Sequence, residues 1–131
     1  MILLAIETSC DETSAAVLDD ARGRSTLRSC VILSQDIHKV FGGVVPELAS
    51  RAHLTTIVAV VDQALTEAAI GLTDLGGIAV TAGPGLVGAL LVGVMYGKTL
   101  ARRLGIPLIG VHHLEGHLFA PTLEYPEFAP P

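Results

Sequence analysis

Ile2-Leu3-Leu4-Ala5-Ile6-Glu7-Thr8-Ser9-Cys10-Asp11-Glu12-Thr13-Ser14-Ala15-Ala16-Val17-Leu18 follows Met1, and its reading decides the fold. Ile2 to Ile6 is an unbroken apolar run, the pattern of a central strand covered on both faces. Glu7 to Glu12 is a polar turn, and Thr13 to Leu18 reads as a second strand. Asp19-Asp20-Ala21-Arg22-Gly23-Arg24 is a further turn, and Thr26 to Leu33 a third strand. Short connections predict that the three pair as antiparallel neighbours.

Beyond the third strand the periodicity changes. Gly42-Gly43 breaks the chain, and Pro46 suits the first turn of a helix. Leu54, Val58, Val61, Leu65 and Ala68 recur at spacings of three and four, which predicts one buried helical face. Gly71 is placed to end that helix, expected over 46–70. Gly77 to Thr81 reads as a fourth strand, Leu86 to Leu104 as a second helix and Pro107 to Val111 as a fifth strand. Strands alternating with helices imply parallel crossovers. The expected fold is α/β with a mixed sheet, in the order β-β-β-α-β-α-β.

Composition sets outer limits. At 131 residues, half of them apolar, the chain has the material for one core, and only 16% of it is charged. A net charge of −5 argues against autonomous attraction of a polyanion, and Lys98, Arg102 and Arg103 fall where cations complement a helix C-terminus. Cys10 and Cys30 are too few for a disulfide framework. No signal or transit peptide is read after Met1, and Gly83-Pro84-Gly85 interrupts the apolar stretch from Ile78 to Tyr96. A reducing cytoplasmic setting without a membrane is therefore expected. Segment 120–131 carries Pro126, Pro130 and Pro131 with no periodic pattern. It reads as a Pro-rich connection leaving a domain that spans 1–119, so the chain reads as the front portion of something larger.

The strongest chemical motif is Val111-His112-His113-Leu114-Glu115-Gly116-His117. Residues i and i+4 of a helix share a face, so His113 and His117 are placed to share one divalent metal; a solvated helix carries such pairs by chance as well. A zinc-protease motif needs its glutamate directly after the first histidine, where Leu114 stands here. Glu115 lies about 200° around the helix from His113. Two imidazoles also leave a catalytic site short of a third protein ligand; Glu124 and Glu127, the later acids, are not favoured for it.

Two further stretches invite a chemical reading. Glu7 to Thr13 gathers three carboxylates, which suits hard cations or proton transfer, although a solvated hairpin is acidic too. Gly83-Pro84-Gly85-Leu86-Val87-Gly88 joins a strand to a helix without the spacing of a Walker or dinucleotide loop. Ligand contact and tight packing are equally good readings of Gly83 and Gly85. Gly88, Gly93 and Gly97 inside the helix each cost about 1 kcal/mol against Ala, which suggests another backbone lies very near.

Together four motifs in order resemble the tRNA threonylcarbamoyladenosine synthase family, the bacterial TsaD group. They are Ile6-Glu7-Thr8-Ser9-Cys10-Asp11-Glu12-Thr13; Ser34-Gln35…His38 with Gly42-Gly43-Val44-Val45-Pro46-Glu47…Ala49-Ser50-Arg51…His53; Ala82 to Gly88; and His113-Leu114-Glu115-Gly116-His117. The resemblance implies the first lobe of an actin-like, sugar-kinase-like (ASKHA) ATPase fold, with the second lobe outside this sequence. It implies transfer of the threonylcarbamoyl group from threonylcarbamoyl-adenylate to the N6 amine of the tRNA adenosine beside the anticodon. Carried over, His113 and His117 look like ligands of one iron or zinc ion, with an aspartate from the second lobe as the third ligand. Asp11 and Glu12 match the acidic turn facing the reaction centre. Gly83 and Gly85, within a matching motif, are the candidate substrate-binding residues. The implied partners are tRNA, an actin-like paralogue and a small ATPase of the same bacterial complex. The rival reading is that non-catalytic paralogue, whose family lacks the His-x-x-x-His pair. The isolated chain is expected to be inactive.

Overall fold

The computed structural model describes residues 1–21 and 23–128. Strands β1 (Ile2–Glu7), β2 (Glu12–Ala21) and β3 (Arg24–Ser34) come first, and helix α1 (Pro46–Glu67) follows a short 3-10 turn, Asp36–Phe41. Strand β4 (Gly77–Gly83), helix α2 (Val87–Leu104), strand β5 (Leu108–His112) and helix α3 (His113–Phe119) complete the alternation, and α4 (Pro121–Glu124) adds one turn.

β1 pairs antiparallel with β2, and β2 with β3, whereas β1–β4 and β4–β5 are parallel. The strands do not lie side by side in chain order. Their order is β3-β2-β1-β4-β5, so the parallel strands extend the sheet from β1 rather than from β3.

Alternation along the strands sorts side chains to two faces. Leu4 and Ile6 of β1, Ala15 and Val17 of β2, Val31 of β3, and Ile78 and Val80 of β4 are buried beneath α1 and α2. The reverse face carries Ala5, Ala16, Leu18, Cys30, Ile32 and Ala79, which floor an open cleft. β1 is thus central in the sheet but covered by helices on one face only, which corrects the expectation of two covered faces.

The buried stripe of α1 differs from the expected one. Ala49, His53, Ile57, Val60, Val61, Ala64, Leu65 and Ala68 face the core, while Leu54 and Val58 are more than half exposed. The helix had to be phased with His53 inward, and a histidine does not advertise itself as a core residue. α1 also ends earlier than expected, because Ala69 at φ 55° takes the left-handed position assigned above to Gly71. The Ile70 N–H then donates to the Leu65 carbonyl at 3.1 Å, closing the helix end.

In α2 the core-facing residues are Ala89, Gly93, Gly97 and Ala101, small residues four apart. Side chains rather than a second backbone approach its glycines: Thr8 at Gly93, Ser50 at Gly88 and Ile78 at Gly97. The Thr8 hydroxyl donates to the Ala89 carbonyl at 2.8 Å and accepts from the Gly93 N–H at 3.1 Å. This pins the end of β1 to the helix.

The hairpin between β2 and β3 is tighter than expected. Asp19 and Asp20 stay in β2, opposite Thr26 and Ser25, and Gly23 sits at φ 73°. Arg22, in the middle of that turn, lies outside the described residues, as do Ala129–Pro131 of the Pro-rich segment. Among the described residues no helix is long and apolar enough to cross a membrane.

Candidate active site

Parallel pairing gathers the carboxyl ends of β1, β4 and β5 at one edge of the sheet, where open α/β sheets hold their ligands. Glu7 ends β1, Thr81 stands beside it on β4, and β5 runs directly into α3 at His113. A cleft of about 940 Å³ opens there, lined by Glu7, Asp11, Glu12, Thr81, His113, His117 and Glu124 above the apolar floor. The structure therefore brings together four of the residues singled out from the sequence: Asp11, Glu12, His113 and His117.

Glu7 organises the histidine pair. Its Oε2 accepts from the Thr81 hydroxyl at 2.5 Å and from His113 Nδ1 at 3.1 Å, and its Oε1 accepts from the Ser9 N–H. Ser9 Oγ lies 3.3 Å from the same His113 nitrogen. Burial pushes the Glu7 carboxyl up, but the hydrogen bonds from Ser9, Thr81 and His113 outweigh it, so it stays below its ordinary value. An ionised carboxylate only accepts, so His113 carries its hydrogen on Nδ1 and presents the Nε2 lone pair to the cleft.

His117 meets that lone pair. The two Nε2 atoms are 3.1 Å apart, and the rings stand edge to face with centroids 4.5 Å apart. Two imidazoles bound to one tetrahedral cation at about 2.05 Å place their nitrogens about 3.3 Å apart. The pair thus fits two corners of a metal site, and the carboxylate behind His113 is the usual orienting partner of such a ligand. Among the described residues no group of three or more donors gathers, so the two imidazoles offer an incomplete set.

The remaining singled-out residues stand apart. Gly85 closes against the acidic turn: a Cβ there would lie 2.6 Å from the Ser9 carbonyl oxygen, and the Leu86 N–H donates to that oxygen at 2.8 Å. Neither Gly83 nor Gly85 lines the cleft. Glu115 is exposed and faces away from it. Glu124, passed over above, does line it, because the one-turn α4 folds back toward β3. Glu7 had been seen only as part of an acidic turn. Its place beside His113 follows from the pairing of β1 with β4 and of β4 with β5, which the sequence reading did not assign.

A mixed five-stranded sheet, covered by helices on one face and carrying acids and a histidine pair at the carboxyl ends of its parallel strands, defines an α/β protein. The solved structure of YeaZ from Pseudomonas aeruginosa shares that fold, with a TM-score of 0.69 at 22% identity over 96% of this chain and 52% of its own. The profile of the family described as "TsaD: tRNA N6-adenosine threonylcarbamoyltransferase" matches residues 26–131, and the chain belongs to that family. The tRNA N6-adenosine threonylcarbamoyltransferase of Gemmatimonas aurantiaca is 61% identical over all 131 residues, and that of Syntrophotalea carbinolica 57% over 124 residues. The chain spans 37% and 36% of the lengths of these relatives.

Proposed function

We propose that this chain forms the first lobe of an actin-like enzyme that modifies tRNA. The reaction is transfer of the threonylcarbamoyl group from threonylcarbamoyl-adenylate to the N6 amine of the adenosine beside the anticodon. Family membership supports the reaction, and one geometric observation carries the site: the Nε2 atoms of His113 and His117 stand 3.1 Å apart, aligned by Glu7, over the same cleft as Asp11 and Glu12.

Each side chain has a task in this reading. Glu7 holds His113 in the tautomer that offers Nε2, and the edge-to-face packing of His117 fixes the second nitrogen. A bound iron or zinc ion would supply Lewis-acid polarisation of the carbamoyl carbonyl. Asp11 or Glu12, both lining the cleft, receives the proton that the N6 amine gives up as it attacks the carbamoyl carbon and AMP departs. Glu12 is itself steadied by the Ser34 hydroxyl, which donates to it at 3.1 Å. Closure of the cleft over its apolar floor, which includes Ala5, Ala16 and Ile32, would keep water from the reacting carbonyl. The third metal ligand and the opposite wall of the cleft come from a second lobe. An actin-like paralogue, a small ATPase and a cytoplasmic setting complete the proposal.

The rival, a non-catalytic actin-like partner, has only the shared fold in its favour. The histidine pair and the family match both favour the enzyme.

In a full-length enzyme carrying this sequence, His113→Ala is expected to lose bound metal and to lower transfer about 100-fold or more. Metal content per protomer and mass-spectrometric counting of modified adenosine read the two effects. Full transfer with the metal lost would remove the cation from the reaction. Full transfer with the metal retained would remove His113.

A further inference from the structure

Behind the cleft, on the helical side of the sheet, lies a second set of polar groups that the proposed chemistry does not use. His53 is 0% exposed and His38 5%, yet both are fully hydrogen-bonded. We propose that Val45, His38, Gln35 and His53 form one directed hydrogen-bond relay whose task is to position the acidic turn. His53 is then a positioning residue for Asp11.

The direction follows from the two ends. A backbone N–H only donates, so His38 Nδ1, 3.1 Å from the Val45 nitrogen, must accept, and its hydrogen sits on Nε2. That Nε2–H donates to Gln35 Oε1 at 2.8 Å, which fixes the Gln35 amide. Gln35 Nε2 then donates to the Ala49 carbonyl at 3.2 Å and lies 3.4 Å from His53 Nδ1. At the far end the Cys10 carbonyl only accepts, so His53 Nε2, 2.8 Å away, carries the hydrogen. His53 Nδ1 is left to accept from the Thr13 hydroxyl at 2.8 Å. Both imidazoles are thus neutral, with hydrogen on Nε2.

The relay grips the turn at consecutive peptides. His53 holds the carbonyl of Cys10, and the backbone N–H of Gln35 donates to the carbonyl of Asp11 at 3.0 Å. Thr13, just past Glu12, is bound to His53 through its side chain. The acidic turn is therefore held from two sides, by His53 of α1 at Cys10 and by the Gln35 backbone, which continues the β2–β3 pairing, at Asp11. The Asp11 carboxylate faces the cleft while its peptide is anchored in the core. Displacing a reacting group by about 1 Å costs up to about 100-fold in rate, so such an anchor has a kinetic consequence.

The kinetic part rests on the reading of Asp11 given above, and the relay itself does not. Two measurements on the full-length enzyme separate them. Nitrogen-15 correlation spectra of labelled histidines at neutral pH should show His38 and His53 as neutral Nε2–H tautomers with slowly exchanging protons. A charged ring or an Nδ1–H tautomer at either residue would overturn the relay, whatever the enzyme does.

In kinetics, His53→Leu is expected to lower kcat about tenfold or more with the KM for tRNA within about twofold. His53→Gln, whose amide can still donate to Cys10, should restore most of that loss. Unchanged kcat in His53→Leu, or equal damage in both folded variants, would refute the positioning role. Should His53→Leu not fold, the spectra alone decide the relay, and His53→Gln must keep kcat within about threefold. Full activity of Asp11→Asn with the tautomers as described would sink the role of Asp11 and leave the anchor standing.

Discussion

His53 and Glu7 are polar groups on opposite faces of the same sheet, and burial acts on them in opposite senses. Glu7 has enough donors around it to remain charged. His53 is pushed by burial below its ordinary value, against the pull of the Cys10 carbonyl and of the Glu7 and Asp11 charges. In the unfolded chain His53 takes up a proton below about pH 6.5. The folded protein declines that proton until the pH is lower still. The unfolded state therefore binds more protons in this window, and stability falls as pH drops through it, by at most about 1.4 kcal/mol per pH unit. Urea unfolding between pH 7.5 and 5.5 should show that slope, and His53→Gln should flatten it. An unchanged slope would place the uptake elsewhere. Of these groups, His113 and His117 were legible in the sequence because helical spacing is a local rule. Glu7 was not, since its partners Thr81 and His113 arrive only when three strands align. His53 stood in the sequence only as a member of a motif, because a residue satisfied by Cys10, Thr13 and Gln35 leaves no periodic trace.

At the scale of elements, the strands and helices were legible, but their ends and faces were less so. Patterning located α1 while its phase was misjudged: Leu54 and Val58 are apolar yet outward, and His53 is polar yet inward. The end of α1 gives a direct test. Ala69 stands at φ 55°, a conformation that costs an L-residue roughly 1–2 kcal/mol. Ala69→Gly removes that cost but raises the entropy of the unfolded chain by up to about 1 kcal/mol. A net stabilisation of about 0.5–1 kcal/mol is expected, seen as a higher urea midpoint with an unchanged m-value. A loss of stability would mean that the left-handed turn is not what ends the helix. The Gly83–Gly88 loop carries the converse lesson. Both readings of its glycines were open in the sequence, and at Gly85 the Ser9 backbone occupies the space a ligand would need.

Over the whole molecule, surface is the informative quantity. The accessible area is 7930 Å² for 13.6 kDa, against about 6,600 Å² for a compact monomer of that mass. Much of the excess is apolar and lies beside the cleft: Ile109 on β5 and Leu114, Leu118 and Phe119 on α3 are each more than half exposed. The helix that carries His113 and His117 therefore has little packing to hold it rigid, and its two nitrogens are the only imidazole donors turned to one another at the cleft among the described residues. Catalytic sites usually bind their metal through three protein ligands on a supported scaffold. The 131-residue chain alone should accordingly bind zinc with a Kd weaker than about 1 μM, less than about 8.2 kcal/mol of binding free energy. Calorimetric titration measures this directly, and His117→Ala should abolish the residual heat. Sub-micromolar binding by the chain alone would show that this lobe already holds a complete donor set, and the proposed contribution of a second lobe to the metal would have to be withdrawn.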